Sequence, residues 1–330
     1  MNLDGTSLAY VVGELQLYCL VECERDVIGD AFETFIGPSL KGRQGQFFMP
    51  RNVTALVREL VQPRVTDMVL DPACGSGGFL VEALRGLWAA VDEQASELDW
   101  PNSEREAEKQ RVAIRQLRGI DKDEFLSKVA KAYMALLGDG RGGIFCENSL
   151  VSFSEWSVRT RQEVAAGEFD AIMTNPPFGQ KLRVTEDSVL SQYALARKWG
   201  KIRNSPYFEQ TDRIADGQTP QILFIERCVD LLKDGGRLGI VLPESMLCNP
   251  SHRYILQYLL SRATIRAVVS IHENLFQPHT KTCVVLIEKG AANPDEYSDI
   301  FMADARFCGH DSRGHEIPFD DIPKIIDRWR

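Results

Sequence analysis

The sequence predicts an α/β fold built on a doubly wound sheet of seven mostly parallel strands, with a short helical segment at its N-terminus. Two observations lead to this prediction. From residue 67 onward, short apolar runs alternate with polar turns and helical patterns, which is typical of parallel sheets. The chain also has 330 residues, 44% of them hydrophobic and 26% charged, so it can bury a large core as a globular protein.

The predicted strands lie at the short apolar runs, and helices fill most of the intervals. We predict strands at residues 68–70, 117–120, 143–146, 169–174, 237–242, 267–271 and 282–288, the last of them antiparallel. We predict helices at residues 52–61, 79–91, 124–137, 220–232 and 252–261. Ligands are expected at the carboxyl ends of the strands, where the strand order reverses.

The chain divides by pattern into a helical segment at 1–44, a main α/β domain at 45–290 and a C-terminal extension at 291–330. Residues 92–111 are rich in Glu and Gln and are predicted to lengthen the neighbouring helices along the surface. Residues 179–219 form a long insertion, with seven basic and five acidic residues interleaved with four aromatic ones. This insertion either contacts nucleic acid or forms a solvated cover or an oligomer surface.

The overall composition argues against several classes of protein. A net charge of −9 excludes nucleic-acid binding by the whole surface, so any such contact must be local. The eight cysteines contain no Cys-x-x-Cys pair and favour reduced thiols in the cytoplasm. The five histidines show no metal-ligand spacing, and no metal site is predicted. The apolar stretch 8–21 contains Glu14 and Gln16 and lacks a basic leader, so we predict a packing helix and no membrane segment.

A glycine-rich turn follows the first predicted strand and reads Asp-Pro-Ala-Cys-Gly-Ser-Gly-Gly-Phe from Asp71 to Phe79. Such a turn brings backbone N–H groups and a helix N-terminus close to a ligand. It begins with a carboxylate and lacks the Gly-Lys-Ser/Thr ending of a P-loop, so an amino-acid-like cation fits it better than a triphosphate. The alternative is that Asp71 only caps the helix or the turn.

The next predicted strand ends at Asp121, where an acidic side chain can bind both hydroxyls of a ribose. Asp123 is a weaker choice because we expect it to cap the following helix. The alternative role for Asp121 is that of a turn residue, since strands often end in Asp.

A second short loop, Asn175-Pro176-Pro177-Phe178, follows the fourth predicted strand. It could be a rigid turn alone. It could also activate a planar amine: the Asn175 oxygen and the Pro176 carbonyl would accept the two N–H hydrogens, while Pro177 stiffens the loop. Phe178 would then stack on the base that carries the amine.

Three segments in this order resemble the N6-adenine DNA methyltransferases, above all the modification (M) subunit of type I restriction-modification systems. They are Gly-Gln-Phe-Phe-Met-Pro-Arg at 45–51, the glycine-rich turn at 71–79 and Asn-Pro-Pro-Phe-Gly at 175–179. Residues 236–245 and 280–284 are similar to later strands of the family. The resemblance covers residues 26–289, so it implies the family's fold over most of the chain.

The resemblance implies S-adenosylmethionine as the cofactor. Residues 46–51 would fold over its methionine end, residues 76–78 would line the pocket, Asp121 would bind the ribose, and Asn148 would meet the adenine. Two departures from the family pattern, Met49 for Thr and Asn148 for Asp, favour weaker cofactor binding. The implied cofactor-binding residues are Gln46, Phe47, Phe48, Met49, Pro50, Arg51, Asp71, Ala73, Cys74, Gly75, Ser76, Gly77, Gly78, Phe79, Asp121, Asn148 and Ser149.

The implied reaction is methyl transfer to N6 of an adenine in DNA, with Asn175, Pro176, Pro177 and Phe178 as the catalytic loop and the target base flipped out of the duplex. About forty residues follow the last predicted strand, too few for an obvious groove-reading domain. The resemblance therefore implies a separate specificity (S) subunit, with a restriction (R) subunit as a further partner. The N-terminal helical part is shorter than is usual in the family, so the chain is expected to be a truncated product or a fragment. The alternatives are methylation of RNA guanine, cytosine N4 or a protein glutamine, or a catalytically weak structural or DNA-binding component.

Overall fold

Eight strands form the main sheet in a computed structural model, which describes residues 4–16, 49–137, 143–179, 182–272, 280–290, 299–310 and 316–330. The strands in chain order are β1 (Val69–Asp71), β2 (Leu117–Asp121), β3 (Ile144–Cys146), β4 (Phe169–Thr174), β5 (Arg197–Lys201), β6 (Phe208–Ile214), β7 (Leu232–Pro243), β8 (Ala263–Ile271), β9 (Thr282–Lys289), β10 (Phe301–Ala305), β11 (Cys308–His310) and β12 (Glu316–Asp320).

Helices connect most of these strands. They are α1 (Gly5–Leu15), α2 (Arg51–Val61), α3 (Gly78–Glu97), α4 (Asn102–Gln116), α5 (Glu124–Leu136), α6 (Val158–Glu163), α7 (Asp187–Leu190), α8 (Pro220–Leu231), α9 (Ser245–Cys248), α10 (Arg253–Leu260) and α11 (Ile322–Trp329). The five predicted helices are confirmed as α2, α3, α5, α8 and α10. As predicted, α3 and α4 extend along residues 92–111.

The strands of the main sheet lie in the order β10-β8-β9-β7-β4-β1-β2-β3. β9 runs antiparallel to both of its neighbours, and the other neighbouring pairs are parallel. The seven predicted strands, and the antiparallel direction of the last of them, are confirmed. The strand order reverses between β1 and β4, so their carboxyl ends border the crevice in which ligands bind to doubly wound sheets.

The predicted number of strands was wrong by one, because β10 lengthens the sheet beyond β8. Its residues, Phe301–Ala305, pair in parallel with residues 267–271. Ala305 alone among them is buried, so this segment lacks the apolar run that marks the other strands. Its place in the sheet depends on pairing with β8, and local sequence carries little of that information.

The residues predicted as a C-terminal extension pack with the main domain. Two compact units divide the chain, Met1–Lys41 and Gly42–Arg330, and the second contains everything from α2 to α11. Trp329 in α11 donates its indole N–H to the Glu59 carbonyl of α2 at 3.1 Å. Arg330 pairs with the Glu59 carboxylate at 2.8 Å. The last segment thus supplies both an edge strand and a helix that covers α2.

α1 is the described helix of the first unit. The Asp4 carboxylate accepts the N–H groups of Thr6 and Ser7, which is a typical N-cap. The remainder of the predicted helical segment, residues 17–44, lies outside the described residues. Within the described part of the chain, no helix is both long enough and apolar enough to cross a lipid bilayer.

α2 lies directly on the sheet and brings residues 49–51 to one edge of it. Its buried residues Val53, Val57 and Val61 share one helix face. At Gly239 of β7 an added Cβ would lie 2.6 Å from side-chain carbons of both Val57 and Val61, so the close approach requires glycine. Asn52 donates to the Cys308 carbonyl, just past the end of β10. The N-terminus of α2 therefore lies at the carboxyl edge of the sheet.

Candidate active site

The turn after β1 is shaped by left-handed glycines and by a carboxylate from the neighbouring strand. Gly75 and Gly77 have φ values of 53° and 95°, and α3 begins immediately after Gly77. The Cys74 N–H donates to the Ile120 carbonyl at 2.9 Å. The Gly75 N–H donates to Asp121 Oδ2, also at 2.9 Å. These contacts hold the start of α3 against the end of β2, as the predicted strand–turn–helix arrangement requires.

Asp121 has a structural role in addition to its predicted one. Its second oxygen, Oδ1, accepts the Asp123 N–H at 2.9 Å. Asp123 in turn accepts the N–H groups of Phe125 and Leu126 and caps α5, as predicted. Burial raises the pKa of Asp121, and the two backbone donors oppose that rise. Each carboxylate oxygen can accept a further hydrogen bond, so a ribose contact remains compatible with this geometry.

Asp71 is a buried carboxyl group at the carboxyl end of β1, with 1% of its surface exposed. Oδ1 accepts the Ala73 N–H at 3.0 Å. Oδ2 is buried and has no hydrogen-bond partner among the described residues. Burial raises the pKa of Asp71 to about 7; Thr174 and the Ala73 N–H oppose the rise, and the negative charge of Asp121 adds to it. No cation of the described residues compensates the Asp71 carboxylate, so the site is suited to receive one.

The Asn-Pro-Pro-Phe loop leaves the sheet beside Asp71. β4 pairs in parallel with β1, with Val69 opposite Ala171, so Asp71 and Asn175 follow adjacent strand ends. Asn175 Oδ1 and Thr174 Oγ1 are buried without partners among the described residues. A buried polar atom that lacks a partner costs about 1–3 kcal/mol, so this arrangement favours a ligand that supplies hydrogen-bond donors.

Phe178 is buried, with 4% of its surface exposed. Stacking on a flipped base needs an open ring face, so the ring or the residues that cover it would have to move first. Pro176 is also buried, and Pro177 is half-buried. The structure therefore places all four residues of the predicted catalytic loop at the strand end, while the stacking contact of Phe178 stays a prediction.

The segment after β3 contacts the Asp71 turn in a way that the sequence did not indicate. The buried Ser149 hydroxyl donates to the Pro72 carbonyl at 2.5 Å, so it stabilises the turn. Asn148 is exposed, and its side-chain oxygen accepts the Leu150 N–H at 3.0 Å. The amide nitrogen of Asn148 is the part of that side chain suited to the predicted adenine contact.

The structure describes only part of segment 46–51, which was predicted to fold over the methionine end of the cofactor. Gln46, Phe47 and Phe48 lie outside the described residues. Met49 and Pro50 are half-buried, and the exposed Arg51 begins α2.

The β11–β12 hairpin binds Asn52, the residue that follows segment 46–51. The sequence analysis did not predict this contact. Asn52 donates to Asp320 Oδ2 at 3.0 Å as well as to the Cys308 carbonyl. No local pattern joins residues about 260 positions apart in sequence.

The insertion contains α7 and the antiparallel β5–β6 hairpin, and most of its aromatic side chains pack against protein. Tyr193 is 1% exposed, donates its hydroxyl to the Leu150 carbonyl and accepts a bond from Arg227. Trp199 packs against Tyr254 with ring centroids 5.7 Å apart. Tyr207 is 62% exposed and can still meet a nucleic acid. The exposed basic residues in the strands and the connecting turn of this hairpin are Lys198, Lys201, Arg203 and Arg213.

Two buried charges on α8 hold the insertion in place, and sequence reasoning missed both. The Glu226 carboxylate accepts the N–H groups of Ala194 and Leu195, each at 2.8 Å. Arg227 donates to the Val151 carbonyl at 2.9 Å and lies over the ring of Phe153. Charged residues within an apolar helical pattern were the available signal, because buried charges require specific partners.

A family model described as N-6 DNA Methylase matches residues 23–330 of this chain. The chain belongs to the N-6 DNA methylase family. The resemblance found in the sequence is thus confirmed. The type I restriction enzyme EcoEI methylase subunit of Escherichia coli is 27% identical to this chain over 294 residues, which are 87% of this chain and 51% of that subunit.

Two further similar proteins extend this comparison. The type II restriction enzyme and methyltransferase RM.BcgI of Heyndrickxia coagulans is 23% identical over 95% of this chain and 43% of that protein. The crystal structure of the type I restriction-modification system methyltransferase subunit from Streptococcus thermophilus is 21% identical, has a TM-score of 0.65, and is matched over 98% of this chain and 62% of that one. The latter likeness shows the shared fold. The chain spans about half the length of the curated relatives it matches.

Proposed function

We propose that this N-6 DNA methylase transfers the methyl group of S-adenosylmethionine to N6 of an adenine in DNA. The observation that carries the proposal is the buried Asn175 oxygen that lacks a partner, one strand away from an equally buried and partnerless oxygen of Asp71. An acceptor of this kind suits an exocyclic amine, and a buried carboxylate suits an ammonium group. Family membership supports adenine as the base and DNA as the substrate.

The residues around the Asp71 turn fit the cofactor. Asp71 would receive its ammonium group, the backbone of the glycine turn would lie along its length, Asp121 would accept from its ribose, and Asn148 would meet its adenine. The cofactor supplies an electrophilic methyl group on a sulfonium. The orphaned Oδ2 of Asp71 is the feature that favours such a cationic ligand over a neutral one.

The catalytic loop would act on the amine by positioning and electrostatics. Asn175 Oδ1 and the Pro176 carbonyl accept its two hydrogens and direct the nitrogen lone pair away from the ring of the base. Because the proline rings restrict the loop, these acceptors are oriented before the base arrives. No strong base is needed before transfer, since the nitrogen becomes acidic as it gains the methyl group. Preorganised acceptors then provide most of the catalytic effect.

DNA binding would depend on local surfaces and partners. The chain has a net charge of −9, so a duplex would be met by limited basic regions such as the exposed cations of the β5–β6 hairpin. The target adenine must leave the stack to reach Asn175. We further propose that a specificity subunit selects the site and that a restriction subunit joins the same assembly. The type I methylase subunits among its relatives support this part of the proposal.

The experiment is to incubate the protein with methyl-labelled S-adenosylmethionine and DNA, with and without a candidate specificity subunit, and to identify the modified nucleoside after digestion. We expect label in N6-methyl-2′-deoxyadenosine from the DNA. Label confined to cytosine, RNA or protein would refute the substrate. Calorimetry that detects no binding of S-adenosylmethionine would refute the cofactor and favour a structural component.

A further inference from the structure

Three buried polar atoms at the carboxyl ends of two adjacent strands have no hydrogen-bond partner among the described residues. They are Asp71 Oδ2 in the last residue of β1, Thr174 Oγ1 in the last residue of β4, and Asn175 Oδ1 directly after β4. Thr174 is fully buried at the end of the strand that pairs with β1, and its hydroxyl opposes the rise in the pKa of Asp71. Asn175 is assigned to the amine of the base, but the roles of Thr174 and of the Asp71 proton remain open.

The surroundings of Asp71 disfavour a bare negative charge. The titratable groups that face it from neighbouring elements are Asp121 on β2, Cys74 in the turn and Cys228 on α8. Asp121 adds a second negative charge, and burial raises the pKa of both thiols so that they stay neutral. No cation contributes to the pKa of Asp71 among the described residues. A carboxyl group in this position needs either a proton or a cationic ligand.

We propose that Asp71 holds a proton before the cofactor binds and releases it to solvent when the cofactor's ammonium group arrives, with Thr174 as the positioning residue that directs the carboxyl group toward the ligand. The O–H bond of Asp71 breaks, the proton passes to water, and an ion pair forms without any change in covalent bonding of the cofactor. This inference rests on the proposed function. It adds that cofactor binding is coupled to proton release from Asp71, and it gives a role to Thr174, which joins β4 to the catalytic loop.

The proton is counted by calorimetry at pH 6 in two buffers with different ionisation enthalpies. The ligands are S-adenosylhomocysteine, which keeps the amino-acid end, and 5′-methylthioadenosine, which has the same nucleoside without it. An α-amino group has a pKa near 8 and is already protonated at pH 6, so the count reports the protein. We expect release of about one proton with the first ligand and roughly none with the second. Asp121 would contact the ribose of both ligands, so any proton that it gains or loses cancels when the two proton counts are compared.

Substitutions at Thr174 test the positioning role. Thr174→Val keeps the shape of the side chain and removes a hydroxyl that has no partner among the described residues and would donate to the Asp71 carboxylate once that group is charged. We therefore expect about tenfold weaker S-adenosylhomocysteine binding, the loss of one hydrogen bond to a charged group in the bound state. The pH at which proton release is half complete should also rise. Thr174→Ser should restore both properties. Thr282→Val is the matched control, since Thr282 is a fully buried threonine on β9 whose hydroxyl also lacks a partner among the described residues.

The outcomes separate this inference from the proposed function. Tight S-adenosylhomocysteine binding with the same proton count as 5′-methylthioadenosine would overturn the inference and leave the cofactor assignment in place. An unshifted pH profile in Thr174→Val would overturn the role of Thr174. Absence of binding by both S-adenosylhomocysteine and S-adenosylmethionine would instead overturn the proposed function.

Discussion

Asp121 at the end of β2 accepts the backbone N–H of Gly75 at 2.9 Å and so holds the turn that follows β1. The residue predicted to bind a ribose therefore also shapes the loop that would receive the rest of the cofactor. Its two oxygens each accept one backbone N–H, from Gly75 and Asp123, and both retain capacity for a ligand.

Asp121→Asn should weaken binding of S-adenosylmethionine by about tenfold or more, because a hydrogen bond to a charged acceptor contributes about 1.5–3 kcal/mol. The amide also has a single acceptor oxygen for two backbone donors. Titration calorimetry measures the change. Asp123→Asn is the control, since Asn caps helices as well as Asp does. Equal weakening by both substitutions would contradict a specific role for Asp121.

Asn175→Ala should bind S-adenosylmethionine like the parent while methyl transfer falls by about a hundredfold or more, as on removal of a preorganised polar group from an active site. The side chain lies on the β4 loop and is assigned to the base rather than to the cofactor. Single-turnover transfer and cofactor affinity are measured on the same preparation. Transfer at the parent rate would disprove the assigned mechanism.

The stability of the ligand-free protein should depend on pH through Asp71. Its pKa is raised to about 7 in the folded state, whereas an unfolded Asp titrates near 4. Between these values the folded state binds more protons than the unfolded state, so the Asp71 contribution to stability falls as pH rises from about 4 to about 7. Urea unfolding measured from pH 4 to pH 7 should show that the free energy of unfolding falls less steeply with pH in Asp71→Asn than in the parent protein. Identical slopes for the two proteins would show that the folded-state pKa is unperturbed.

Gly239→Ala should destabilise the fold by about 1–3 kcal/mol, as overpacking of a core does. The new methyl group would lie 2.6 Å from carbons of Val57 and Val61 and would push α2 away from β7. Gly200→Ala is the control, because a Cβ there meets nothing within 4 Å. Thermal unfolding compares the two variants. Because α2 begins at Arg51, the first substitution should also weaken cofactor binding.

Much of the fold could be predicted because its signals are local. The apolar runs of β4 and β9 and the Asp123 cap of α5 depend on neighbouring residues, and each was confirmed. β10 could not be predicted in the same way, since its residues are mostly accessible and its partner strand lies about 34 residues earlier in the chain.

The positions of the candidate site residues could be predicted from the sequence, but their burial and their contacts could not. Asp71 and Asn175 stand at strand ends, and parallel pairing of β1 with β4 brings strand ends together. The burial of Phe178 and the contact of Ser149 with the Pro72 carbonyl depend on which segments cover them. Neither the spacing nor the type of these residues carries that information.

The alternation of strands and helices, the positions of the two loops to which we assign the chemistry, and the family could all be read from the sequence, because each depends on residues that are close along the chain. Tertiary structure decided which polar atoms are buried without partners. The Thr174 hydroxyl affects the pKa of Asp71 only because β1 and β4 pair side by side and the surrounding elements exclude water. Desolvation depends on the whole packed environment, so the elevated pKa of Asp71 is a property of the fold.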